Sequence, residues 1–107
     1  MERERIDLLI ETLLDPTAPW ADRDDAAIDL AEVDAPKALD ALVSMAVQTE
    51  LPGYFLESCG EAIAEMWIRL GILDVQTFAL LAESARTQVR AIIAAKRPEW
   101  LPLLGTA

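Results

Sequence analysis

The stretch "WADRDDAAIDLAEVDAPKALDALV", residues 20–43, reads as a helix, a Pro-marked turn and a second helix. Its apolar positions decide that reading. Ala27, Leu30 and Ala31 share one helical stripe, and Leu39, Leu42, Val43, Ala46 and Val47 share another. Pro36 suits the first turn of the second helix, where a missing N–H breaks no intrahelical bond, with Asp34 or Ala35 at the cap position. A connection of about two residues makes the two helices expected antiparallel neighbours.

Outward from this pair the same logic continues. Ile6, Leu9, Ile10, Leu13 and Leu14 form a stripe that predicts a helix over 2–14, stopped by "DPTAP" at 15–19. Pro19 belongs to the opening turn of the second helix, which runs to about residue 33. "QTELPGY", 48–54, is a break, because the residue before Pro52 is pushed out of the helical region and Pro-Gly favours a turn. A fourth helix is predicted over 55–70, with Cys59, Ala62, Ile63, Met66 and Trp67 inward and Gly71 at its end. Asp74 caps a fifth helix holding Phe78, Leu81 and Ala82. A sixth covers 84–96 with Val89, Ile92 and Ile93 apolar, and Pro98 stops it. Trp100, Leu101, Leu103 and Leu104 are expected to fold back over the last helices, since that much apolar surface is costly to leave in water.

The composition agrees. The chain has 107 residues, 53% of them apolar and 26% charged, which suits one globular domain over 1–107 with a modest core. Leu, Ile and Ala dominate the apolar fraction and β-branched runs are scarce, so the fold class is all-α. No run approaches about 18 consecutive apolar residues, so no membrane span is expected. "MERERIDLLIETLL" is read as a helix and not a signal peptide, because acids interrupt its apolar run. Cys59, the single cysteine, is expected to be a small buried hydrophobe in a reducing cytoplasm.

Sliding the second helix onto the fourth by 36 residues places Ala27 on Ile63, Leu30 on Met66, Asp25 on Glu61 and Asp29 on Glu65. Core stripe and acidic stripe superimpose together. The partner helices need a shift of 39, which sets Leu39 on Phe78 and Leu42 on Leu81. "LLDPTAPWADRDDAAIDLAEVDAPKALDAL", with weaker echoes in "ESCGEAIAEMWIRLGILD" and "ESARTQVRAII", resembles the HEAT-like helical-repeat family in its D-P turn, Arg, paired small residues, Leu and short turn into a second helix. The second unit departs from that pattern by lacking the Asp-Arg pair, with Glu57 near the position of the Arg. The resemblance implies a short right-handed α-solenoid of antiparallel helix pairs, about six helices in all. Its units would be 16–50, 54–83 and 84–104, with 2–14 as an N-terminal capping helix. It also implies a surface whose business is binding.

Chemistry is scarce in this sequence. There is no histidine, which removes the commonest general base and zinc ligand, and one cysteine cannot build a thiolate cluster. Four glycines make no phosphate-cradling loop. Glu57, Glu61 and Glu65 recur at four-residue spacing, but helical di-metal sites add His and face the interior, which the apolar stripe claims here. The expectation is therefore no catalytic residue, no metal, no cofactor and no enzyme. A net charge of −10 repels phosphates, so nucleic acid is a poor partner. The small basic cluster of Arg86, Arg90, Lys96 and Arg97 is read as a solvated helix face with favourable C-terminal charges.

The acids are more informative. Residues 1–34 hold eleven acids against three arginines, a formal −8 of the total −10. Asp22, Asp25, Asp29 and Glu32 recur on one face of the second helix, and Glu57, Glu61 and Glu65 repeat the arrangement on the fourth. A one-signed stripe costs a few tenths of a kcal/mol per close pair, and a solubility face is usually mixed in sign. The functional reading is an acidic surface complementary to a basic protein partner, which speeds encounter and suppresses wrong partners. Trp20 and Tyr54, with Trp67, border the ridges and are candidate aromatic anchors.

The leading expectation is thus a cytoplasmic, non-enzymatic protein-binding module. Within it, a small acidic chain fits the logic of an immunity protein that neutralises a basic toxin domain, some of which look like short HEAT-like stacks. The alternatives are a scaffold acting through homo-oligomerisation, buried through Trp100 and Leu103, and a helical enzyme using carboxylates with a divalent metal.

Overall fold

A computed structural model of the chain describes residues 4–105, and over them the fold is all-α, with no strand. Seven α-helices are present among the described residues: α1 Arg5–Leu14, α2 Trp20–Leu30, α3 Pro36–Ala46, α4 Gly53–Leu70, α5 Val75–Leu80, α6 Glu83–Lys96 and α7 Leu101–Leu104. A single 3-10 turn, Pro98–Trp100, joins α6 to α7. The start expected for the first helix at residue 2 lies outside the described residues.

The helix ends follow from local chemistry. The Asp15 carboxylate accepts from the Thr17 amide at 2.8 Å and the Thr17 hydroxyl at 2.7 Å, a side-chain turn that closes α1 ahead of Pro16. Pro36 occupies the first turn of α3 as expected, but Ala35 is the cap position and offers no side-chain bond; Asp34 is engaged elsewhere. Gly71 ends α4 with φ 72°, a left-handed conformation that lets the amides of Gly71 and Ile72 close onto the carbonyls of Ile68 and Trp67. Asp74 caps α5, accepting from the Thr77 amide at 3.0 Å and the Thr77 hydroxyl at 2.6 Å.

Around α4 the rest of the molecule assembles. It packs on α2 and α3 on one side and most extensively on α6 on the other, while α1 packs on α2 and α3. One buried core runs through all of them, with Leu13, Leu30, Leu42, Phe55, Ile63, Phe78 and Ile93 among its fully enclosed side chains. Cross-links mark which ends meet: Lys37 to Asp7 at 2.7 Å, Arg5 to Asp29 at 3.6 Å, Lys96 to Glu65 at 3.4 Å, and the Ala82 amide to the Ala46 carbonyl at 2.8 Å.

Three differences from the sequence reading have physical causes. Helix α2 stops at Leu30, so residues 31–35 form a longer connection, and α2 touches α3 only sparsely while spending its core face on α1 and α4. Arg69 of α4 donates to the carbonyls of Ala31 and Val33 and so satisfies acceptors that the end of α2 leaves open. Leu14 and Val47, expected inward, are exposed. The tail folds back through Trp100 and Leu104, which are buried, whereas Leu103 is 58% exposed. Trp100 lies under the Arg97 guanidinium at 4.3 Å, so it is part of this chain's own core edge and not a free dimer surface.

Candidate functional site

The acidic stripes stand where helical periodicity puts them. On α2, Asp22 and Asp25 are exposed, as is Glu32 just beyond its end, while Asp29 is half-buried; on α4, Glu57 and Glu61 are exposed and Glu65 half-buried. Ala27 and Leu30 on the opposite face of α2 are fully buried, as are Ile63 and Met66 on α4. Because α2 and α4 pack directly on one another, the two stripes meet across a cleft. That cleft, about 110 Å³, is lined by Ile28, Ala31 and Glu32 from the α2 side and by Ser58, Glu61, Ala62 and Glu65 of α4. It therefore brings together Glu32, Glu61 and Glu65 of the expected residues, while Asp22, Asp25, Asp29 and Glu57 extend the acidic face beyond its walls.

The charges within this face are compensated unevenly. Asp29 pairs with Arg5 and Glu65 with Lys96 at its edges. Among the described residues, Asp22, Asp25, Glu32, Glu57 and Glu61 make no salt bridge. Five carboxylates thus remain available to an external cation, at a site whose floor is partly apolar.

Ile28 is the residue that the sequence reading passed over. It is 52% exposed at the α2 wall of the cleft, three residues after Asp25 and four before Glu32. An apolar side chain on an otherwise acidic face, off the core stripe of Ala27 and Leu30, was the available signal.

The candidate aromatic anchors divide. Tyr54 is 53% exposed at the start of α4. Trp20 is half-buried, packing edge-on against Phe55 with ring centroids 5.2 Å apart and lying 4.3 Å from the Arg23 guanidinium, so much of its surface is already used within the chain. Trp67 is buried in the core.

Arg23 is the principal buried charge. It is only 5% exposed, its Nε donates to the Leu13 carbonyl at 3.0 Å, and its guanidinium packs against both the Trp20 and Phe55 rings, 4.3 and 5.5 Å from their centroids. This Arg, part of the quoted repeat-like stretch, pins the end of α1 to α2 and α4. The later basic cluster is likewise engaged within the chain: Arg86 donates to the Leu81 carbonyl, Arg90 lies over Phe78 at 5.2 Å, Lys96 pairs with Glu65, and Arg97 pairs with Glu99 at 2.9 Å. Those partners, and not solvation alone, account for it.

Cys59 is fully buried and free, and desolvation followed by the nearby Asp24 charge pushes its thiol up to about 12. It is a core residue in this setting, and its thiolate is suppressed. Among the described residues, no group of three or more His, Cys, Asp or Glu is placed to hold a metal ion, and no helix is long and apolar enough to cross a membrane.

Fold and cleft together define a small all-helical protein with an acidic, apolar-floored depression between two packed helices. No protein-family model, no curated protein and no solved structure matches the chain.

Proposed function

We propose that the chain is a non-enzymatic protein-binding module of the HEAT-like helical-repeat type, which presents the α2/α4 acidic cleft to a basic protein partner. The convergence of Glu32, Glu61 and Glu65 around the exposed Ile28 carries this reading, with Asp22, Asp25 and Glu57 adding uncompensated negative charge around it. Desolvated apolar centres ringed by charge are how protein interfaces combine affinity with selectivity. The repeat assignment is supported by the packing of α2, α4 and α6 as successive neighbours and by the contact of α1 with α3. The partner we assign is a toxin domain, which makes the chain a cytoplasmic immunity-type inhibitor.

Charge reversal tests the surface. The informative positions are Asp25, Glu32, Glu57 and Glu61, since reversing Asp29 or Glu65 also breaks an ion pair of the fold. The neighbouring reading frame is expected to encode a chain with a basic C-terminal domain. Binding to that domain should weaken steeply with salt and vanish on fourfold reversal. Binding that survives reversal removes this surface from the function, and a neighbour without a basic domain removes the toxin.

One observation favours a scaffold role instead. Leu80 and Leu103 are 71% and 58% exposed on α5 and α7, two helices that touch one another. A concentration-dependent dimer in sedimentation, abolished by Leu80→Asp, would support homo-oligomerisation.

A further inference from the structure

We propose that a second, apolar depression beside the acidic cleft receives one apolar side chain of the same basic partner, so that the partner is read as a basic residue and an apolar residue held at a fixed separation. The proposal rests on the acidic-cleft reading above and specifies what that cleft's partner must carry.

The depression, about 150 Å³, lies between the start of α3 and the end of α4, floored by Ala35, Pro36, Leu39, Met66 and Leu70. Its rim is the ion pair between Arg69 Nε and Asp34 Oδ1 at 2.6 Å. A volume of roughly 150 Å³ is the scale at which an apolar cavity in a protein accepts a benzene ring, so a single Leu, Met or Phe side chain fits it. Met66 adds an adaptable, polarisable wall.

The two depressions are neighbours on one helix. Ser58, Glu61, Ala62 and Glu65 line the acidic cleft, and Met66, Arg69 and Leu70 line the apolar one. Their four-residue spacings place them along two adjacent rows, Ser58, Ala62, Met66 and Leu70 beside Glu61, Glu65 and Arg69, which wind from one depression to the other around α4. The partition between them is a single side chain: Arg69 reaches from the apolar side and donates to the carbonyl of Ala31, a residue of the acidic cleft, at 2.9 Å. With Arg69 occupied by Asp34 and by the carbonyls at the end of α2, the uncompensated charge of the adjoining cleft is that of Glu32 and Glu61. Charge complementarity therefore selects a basic occupant.

The separation follows from helix geometry. The midpoint of Glu61 and Glu65 lies five residues before the midpoint of Met66 and Leu70, roughly 7–8 Å along the helix axis and about 140° around it, so the two sites stand about 12 Å apart over the helix surface. An extended partner segment spans about that distance between residues i and i+4, whose side chains project from the same face. The partner's signature is a Lys or Arg followed at that interval by a large apolar residue.

Three synthetic peptides test this against the full chain: one with Lys and Leu at i and i+4, one with that Leu replaced by Ala, and one with the Lys replaced by Glu. The readouts are affinity and the methyl resonances of Met66, Leu39 and Leu70. The Lys/Leu peptide should shift those methyls and lose about tenfold or more in affinity on the Leu-to-Ala change, with a matching loss in a Leu70→Asp chain, whose altered residue is already exposed. Equal binding of the Lys/Ala peptide with unmoved methyls overturns the apolar subsite and leaves the acidic cleft standing. Equal binding of the Glu/Leu peptide overturns the basic occupant and the cleft reading with it. Methyls that no peptide moves overturn the proposal outright.

Discussion

Gly60 of α4 lies directly against the backbone of Ala85 of α6, so that a Cβ added at position 60 would stand 2.5 Å from the Ala85 carbonyl oxygen and 2.9 Å from its Cα. The α4/α6 contact, the most extensive between helices in the molecule, depends on that close approach. Gly60→Ala gains about 1 kcal/mol of helix propensity. The clash is with backbone, which cannot rotate away, and overpacking of this kind costs about 1–3 kcal/mol or more. The substitution should therefore lower stability in urea unfolding despite the better helix former. Gly53→Ala is the matched control, since its Cβ meets only the Ser84 hydroxyl at an ordinary 3.6 Å, and it should be neutral or slightly stabilising.

Arg23 supports an equally specific expectation. Arg23→Leu leaves the Leu13 carbonyl without its Nε donor and removes the cation from the Trp20 and Phe55 rings. The expected loss is about 2–4 kcal/mol, the sum of a buried acceptor left unpaired and a desolvated cation–π contact. Arg23→Lys should not restore it, because an ammonium lacks the planar fork that reaches the carbonyl while stacking on a ring. Equal unfolding midpoints for Arg23→Lys and the parent chain would contradict this account.

How much of this was legible beforehand differs by residue. The α4 core stripe from Cys59 to Trp67 and the left-handed Gly71 terminus were readable from spacing, because an 18-residue amphipathic helix repeats its signal many times. The acidic face was readable for the same reason. Arg23 lies on the core stripe, four residues before Ala27, yet an arginine's burial depends on the carbonyl and rings that tertiary packing brings to it. The break at Leu81 and Ala82, both buried, hid between two helices because apolar residues continue across it. The apolar depression was invisible in sequence: it is made by residues about 30 apart and is walled by an Arg69 bond to loop carbonyls.

Asp74 should make α5 sensitive to acid. Hydrogen bonds from the Thr77 hydroxyl and then the Thr77 amide hold its carboxyl below the usual carboxylate range. A folded-state value below the unfolded one contributes stability above about pH 4 that is lost as pH falls through the folded value. Asp74→Ala should cost about 1 kcal/mol at neutral pH, the usual value of an N-cap, and should flatten the stability profile below pH ~4. Thermal unfolding of both chains between neutral pH and pH ~3 measures it, and parallel profiles would assign the acid sensitivity to other groups.

Cys59 sets the opposite limb. Its thiol is raised to about 12 in the folded chain, against an ordinary value near 8.5 in the unfolded one. Its contribution is complete below the unfolded value and declines as pH rises above it, because only the unfolded state ionises there. Stability should fall from about pH 8.5 upward and fall less steeply in Cys59→Ala, whose neutral-pH stability is lower by the small cavity left. Disulfide-exchange reagents should label Cys59 at the rate of global unfolding. Rapid labelling of the native chain would show a local opening at α4.

The acidic face should carry its own energetic signature, separating recognition from solubility. Glu57 and Glu61 are exposed, one helical turn apart, and neither is paired with a cation among the described residues. Like charges at that spacing repel, so a charge-neutral pair, Glu57→Gln with Glu61→Gln, should raise the melting midpoint by about 1–3 °C at low salt. The gain should shrink toward zero at molar salt, where charges are screened within about 3 Å. A surface selected for binding keeps such repulsion because a basic partner relieves it. The same double substitution should therefore weaken binding to the proposed basic partner mainly through a slower association rate, with the deficit disappearing as salt rises. Stability that falls on neutralisation would mean that these carboxylates serve the fold, and the acidic cleft would lose its claim to recognition.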